Sequence, residues 1–282
     1  MISIKQQKGV NLIELMIVGF LMVLIGFFMI KIMTSSNESA SRSDGIAQAQ
    51  ETARLIISWL YNDIRRAGYS TNLQEPRIQP FSDICTAASG TPPANNGNCS
   101  FESIDPSVNN DRVAIRRIYS AAIIDRGDHL DCTGVDLRGT AGLELDASVL
   151  VDVYWVERDN GNDGDDYDDV LRCVTYNEDT GFALNPAQTI ASGVEGLQVL
   201  YAETNGGSGT VTTYVPGDQI TSMDDVHAVR ISILTRAFSD FALTTATRSY
   251  ILLDADDYTF TDRVPRQIQT TTISLNNYDG SI

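Results

Sequence analysis

The sequence predicts an α+β fold in which a long N-terminal helix packs on a mainly antiparallel β-sheet head. Three observations predict it: an apolar run from Leu12 to Ile30, a one-sided apolar pattern that continues the helix to Gly68, and period-two strand runs beyond it. No second helical pattern follows. One anchor helix and one head account for the 282 residues without a second core.

The first residues, MISIKQQKG, are short and basic through Lys5 and Lys8, and they precede the apolar run. The segment 10–33 is long enough to cross a bilayer as a tilted helix. The two lysines hold its start in the cytoplasm and send the rest outward. A cleaved secretory signal is the weaker reading, because no small-residue cleavage site follows the apolar core and the helix continues past it. A plain signal anchor gives no reason for Glu14, whose carboxylate costs about 2.5 to 3.5 kcal/mol in hydrocarbon. Cutting the chain between Gly9 and Val10 supplies the reason: the new amine sits four residues before Glu14 on the same helical face.

At this point the residues Lys8-Gly9-Val10-Asn11-Leu12-Ile13-Glu14-Leu15 resemble the type IV prepilin motif. The resemblance implies that Gly9 precedes the cut, that Val10 becomes the N-methylated terminus, and that Glu14 meets the terminal amine of a neighbouring subunit during assembly. Two positions depart from the pattern, Val10 for the usual aromatic residue and Asn11 for the usual Thr. Major pilins often carry a helix-breaking proline in this segment, whereas the first proline here is Pro76. Gly19 and Gly26 permit close helix packing instead.

Beyond Met33 the apolar residues recur at three or four: Ile46, Ala49, Ala53, Ile56 or Ile57, Leu60, Ile64 and Ala67. Arg54, Arg65 and Arg66 fall off this stripe, and the two adjacent arginines read as a solvated face or as contacts to acidic neighbours. A helix over 10–68 would span roughly 90 Å at about 1.5 Å per residue. Its exported half must cover its stripe, so docking on the head is expected rather than an independent coil.

The formal charge of −17 is uneven: beyond Gly68 there are 13 basic and 32 acidic residues, a net −19. Such a surface repels nucleic acid and anionic lipid, so direct DNA contact is disfavoured unless a local basic patch exists. The four cysteines include no C-x-x-C pair, and only His129 and His227 could complete a metal cluster, which argues against zinc. Beyond a membrane segment they read as two disulfides of an oxidising compartment. Three connectivities are open; Cys85 with Cys99, closing a Gly/Pro/Asn-rich loop within 69–110, and Cys132 with Cys173 are preferred over reduced thiols.

Strands are expected at 112–119, 148–156, 170–176, 194–203, 227–237, 248–253 and 267–275. Val149, Val151, Val153 and Trp155 share one face of their run, and Val229, Ile231 and Ile233 one face of theirs. The phrases Gly193-Val194-Glu195-Gly196-Leu197-Gln198-Val199, Val229-Arg230-Ile231-Ser232-Ile233-Leu234-Thr235-Arg236 and Thr271-Thr272-Ile273-Ser274-Leu275-Asn276-Asn277 look like the head of PilW-type minor pilins. The J-type pseudopilins of type II secretion are similar in layout.

Between two of these runs, the segment from Asp159 to Asp169 is the densest polar cluster, placed as a hairpin tip. Asp159, Asp163 and Gly164 match positions 1, 5 and 6 of a calcium loop, but Gly161 stands at position 3 and Val170 where the closing Glu belongs. A solvated acidic turn is therefore preferred to a calcium site. Neither histidine stands in a nucleophile motif, and phosphate-loop, dinucleotide and H-E-x-x-H patterns are absent. Gly206-Gly207-Ser208-Gly209 reads as a turn. Nothing points to an enzyme or a cofactor.

The resemblance implies a chain in four parts: leader 1–9, membrane-spanning helix 10–33, exported amphipathic helix 34–68 and head 69–282. It implies a single-pass inner-membrane precursor, N-terminus cytoplasmic and head periplasmic, that prepilin peptidase processes and an assembly platform builds into a pilus near the tip. Its partners would be other minor pilins, the major pilin and possible tip adhesins, in support of motility, adhesion or DNA uptake. A secretion pseudopilin and a ligand-binding tip head are the alternatives.

Overall fold

Helix α1 (Leu12–Arg65) starts after Asn11, whose backbone is extended and whose carbonyl accepts from the Leu15 N–H at 3.2 Å. The computed structural model describes residues 11–68, 78–85, 90–105, 110–119, 129–145, 147–158, 169–204, 211–238 and 245–275. With 54 residues, α1 is roughly 80 Å long at about 1.5 Å per residue. It stops where Gly68, at φ 67°, swings its N–H onto the Arg116 carbonyl at 2.7 Å. A side chain in that left-handed conformation would be strained, which is why the stop falls on glycine.

Where the strand pattern suggests one sheet, the described head has three. The strands are β1 (Arg112–Ile118), β2 (Val149–Glu157), β3 (Val170–Asn177), β4 (Phe182–Ala183), β5 (Gln188–Ser192), β6 (Val194–Thr204), β7 (Val211–Val215), β8 (Val226–Arg236), β9 (Ala246–Tyr250), β10 (Tyr258–Asp262) and β11 (Arg266–Ser274). The first sheet runs β1-β2-β3-β4, with β5 also on β3; the second runs β11-β8-β6-β7; β9 and β10 form a small third. Every pairing is antiparallel. All seven runs read from sequence contain strands. The four missed, β4, β5, β7 and β10, are short and half exposed, so burial imposes little alternation on them. The run at 248–253 is cut short after Tyr250, and Leu253 takes φ 49° in a turn.

The C-terminal half of α1 lies in the main core between the inner faces of the two large sheets. Ala53, Ile56, Leu60, Ile64 and Ala67 pack there with Val113, Ile115 and Tyr154 of the first sheet and Val199, Ile231 and Ile273 of the second. The other face of the first sheet is buried too: Val151, Val153 and Trp155 pack with Ala114, Val174 and Tyr176. Part of its cover is the segment 90–99, where Tyr176 Oη donates to the Ala94 carbonyl at 3.0 Å. The small sheet closes on the second through Leu234, Leu252 and Tyr258. Gly196 permits that approach, since a Cβ there would stand 3.0 Å from atoms of all three.

Candidate functional site

The site of interest is α1 and the seat that fixes it to the head. Every large apolar side chain from Leu12 to Met33 is exposed in the single chain. The most apolar 18-residue stretch of α1 has mean hydropathy 2.6 and is wholly unburied, long and apolar enough to cross a membrane. Glu14 sits in the first turn, exposed among these apolar neighbours. Gly9 and Val10 lie outside the described residues. A Cβ added at Gly19 or Gly26 would meet nothing within 4 Å, so both present open backbone to whatever surrounds the rod.

The C-terminal half is held by shape and by polar contacts. Leu60 and Ile64 are fully buried, and the Ala49 carbonyl accepts from Thr235 Oγ1 at 2.9 Å. Asp63 receives the Tyr154 hydroxyl and pairs with Arg66 on its own helix. Burial first, and then the neighbouring Asp152, push the Asp63 carboxyl above its usual range, against the pull of Arg66 and Tyr154. The Tyr154 phenol is raised well above its ordinary value, again chiefly by burial. Arg65 lies over the Tyr61 ring at 5.7 Å, so both adjacent arginines engage their own helix.

The seat is flanked by buried ion pairs that strand alternation alone does not reveal. Arg117 and Asp152 pair at 2.5 Å on the inner face of the first sheet, with Thr175 Oγ1 donating to Asp152 at 2.6 Å. Arg266 bridges Glu195 and Asp262 at 2.5 and 2.6 Å and stacks its guanidinium 3.7 Å from the Phe260 ring. The sequence signal was present: Asp152 interrupts Val149-Leu150-Val151 and Val153-Tyr154-Trp155, a charge where an apolar residue is expected.

Two disulfides staple the irregular segments. Cys85 joins Cys99 with Cα atoms 5.3 Å apart, beside the cover on the first sheet's outer face. Cys132 joins Cys173 at 6.3 Å and ties the segment 129–137 to β3, where the Cys132 N–H also donates to Thr175 Oγ1 at 2.9 Å. The acidic segment joins β2 to β3, whose register ends at Glu157 opposite Val170, so it does connect a hairpin. Residues 159–168 themselves lie outside the described residues, as does the glycine-rich turn 205–210 between β6 and β7. Among the described residues no group of three or more His, Cys, Asp or Glu could hold a metal ion. His129 lies before β2 and His227 within β8.

An apolar rod is thus continuous with an amphipathic half that is seated in an antiparallel β head. Residues 153–277 match the family model of PilW, the type IV pilus-assembly protein W. Among solved structures, the type IV-like pilin TTHA1219 from Thermus thermophilus is similar at 16% identity and TM-score 0.43, over 81% of this chain and 97% of that one. No curated protein matches the chain.

Proposed function

We propose that the chain is a minor pilin that primes type IV pilus assembly together with other minor pilins and stays near the tip. In this reading residues 1–9 are a leader removed by prepilin peptidase after Gly9, Val10 supplies the new, methylated amine, and Glu14 meets the amine of a neighbouring subunit. Residues 10–33 then span the inner membrane, 34–68 form the exported half of the helix, and 69–282 form a periplasmic head. The observation that carries the proposal is the bare apolar rod with a single acid in its first turn. Each subunit leaving the bilayer must rebury that rod against other helices, and a pre-docked group of minor pilins offers the first such surface. The chain acts by being processed and assembled, not by catalysis.

The test is Glu14→Ala in the full chain. Cleavage, read as loss of the leader by mass, is expected to persist while surface piliation falls at least tenfold. Normal piliation with Glu14→Ala would overturn the assembly role, and uncleaved protein in cells with active peptidase would overturn the processing site.

A further inference from the structure

Beyond Lys31 the chain has no lysine, and most described arginines of the acidic head are engaged with carboxylates: Arg116 with Glu178, Arg117 with Asp152, Arg138 with Asp136, Arg172 with Glu157, Arg236 with Glu195, and Arg266 with Glu195 and Asp262. One pocket breaks the pattern. A cavity of about 70 Å³ between α1 and the small sheet is lined by Arg42, Ile46, Arg248, Tyr250, Arg263 and Arg266, and by no carboxylate. Arg266 already has its acids. Among the described residues no ion pair is formed by Arg42, Arg248 or Arg263, and the helix acids Glu38 and Asp44 do not line the cavity.

Three separate elements converge there. Arg42 and Ile46 are one turn apart on α1, Arg248 and Tyr250 alternate on one face of β9, and Arg263 directly follows β10. Arg248 is half-buried opposite Phe260 in the strand register and lines the cavity. Gathering like charges around a small hole is unfavourable unless an anion neutralises them. Guanidinium groups offer paired N–H donors that match phosphate oxygens. We propose that this pocket binds the phosphate of an anionic phospholipid headgroup in the leaflet beneath the head.

Position selects the lipid over other phosphates. Arg42 stands nine residues past Met33 on an unbroken helix, about 13 Å along its axis. Headgroups add about 5 to 7.5 Å to each face of a hydrocarbon core of about 30 Å, and the remaining distance of roughly 6 to 8 Å is about what a snorkelling arginine spans. Tyr250 adds the amphipathic ring favoured at such interfaces. The cavity suits one phosphate group rather than the row presented by a nucleic-acid duplex. Lipid held there keeps the head down on the bilayer until the subunit is extracted. The inference rests on reading α1 as the membrane anchor.

The experiment uses the full-length chain in maltoside micelles, titrated with short-chain phosphatidylglycerol, short-chain phosphatidylcholine, inorganic phosphate and a DNA duplex. Phosphatidylglycerol is expected to bind at least tenfold more tightly than the other three. The triple variant Arg42→Gln, Arg248→Gln, Arg263→Gln is expected to lose that affinity at least tenfold. If the triple variant melts early, the exposed Arg263→Gln alone decides, with a threefold loss expected. Glu14→Ala should bind lipid as the parent does, so failure of the assembly role leaves this result readable. Unchanged affinity in the arginine variants, or inorganic phosphate or DNA binding as tightly as phosphatidylglycerol, would overturn the lipid assignment.

Discussion

Replacing Arg266 by Gln removes the centre of the buried pair that ties the second sheet to the small one. The Arg266 side chain is 2% exposed and donates to both Glu195 oxygens, at 2.5 and 2.9 Å, while Asp262 takes a further contact at 2.6 Å. Glu195 is itself 3% exposed, and its remaining cation, Arg236, stands at 3.6 Å. Burial already pushes the Glu195 carboxyl upward against the pull of Arg266. Breaking one side of a buried pair costs about 3 to 5 kcal/mol, because the surviving charge is left without compensation. Arg236 offsets part of this, so about 3 kcal/mol is expected, or roughly 6 to 12 °C of melting temperature for a head of this size. Near-ultraviolet circular dichroism of the full chain in detergent measures it. The double variant Arg266→Gln, Glu195→Gln should recover at least about 1 kcal/mol relative to the sum of the singles. A loss under about 1 kcal/mol in the single variant, or strict additivity in the double, would refute the reasoning.

The Cys132–Cys173 bridge closes a separation of 41 residues, and chain-entropy arguments assign it about 4 kcal/mol, against about 3 for the 14-residue separation of Cys85–Cys99. Replacing Cys132 and Cys173 by Ser should therefore lower the denaturation midpoint more than the same change at Cys85 and Cys99; the reverse order would count against it. Glu102 gives a pH signature: burial, opposed by the Gly217 N–H and reinforced by Asp254 and Asp218, lifts its carboxyl from 4.5 to about 7, and the adjacent Asp111 is raised as well. A carboxyl with a raised folded pKa stabilises fully below its unfolded value and loses that contribution as pH rises through the folded one. Stability should thus fall between about pH 4.5 and 7, and Glu102→Gln should flatten the slope in denaturant titrations at pH 5, 6, 7 and 8. An unchanged slope in the variant would exclude Glu102 as the source.

Much of α1 was legible because its signals are local. Hydropathy marks the apolar segment, three-and-four spacing marks the stripe from Ala49 to Ala67, and Gly68 marks the turn, since only glycine takes φ 67° without strain. The long strands were legible because they are buried almost throughout, which makes β2, β6 and β8 runs rich in Val, Ile and Leu. Their grouping was not. Alternation says which side chains share a face but not which strand lies beside which, so the division into three sheets had to come from pairing across long separations, as between β6 and β8 or β8 and β11.

The sequence by itself determined the apolar run that opens α1, its lone acid Glu14 and the strand character of the head, because each rests on neighbours within a few residues. Only the tertiary structure decided that α1 is seated between two sheets through Leu60, Ile64 and the Asp63–Tyr154 contact. It alone brought Arg42 on the helix beside Arg248 and Arg263, about 200 residues further along the chain. The physical reason is the range of the forces involved: helix period and backbone strain act locally, whereas charge clusters and core packing depend on where distant segments meet.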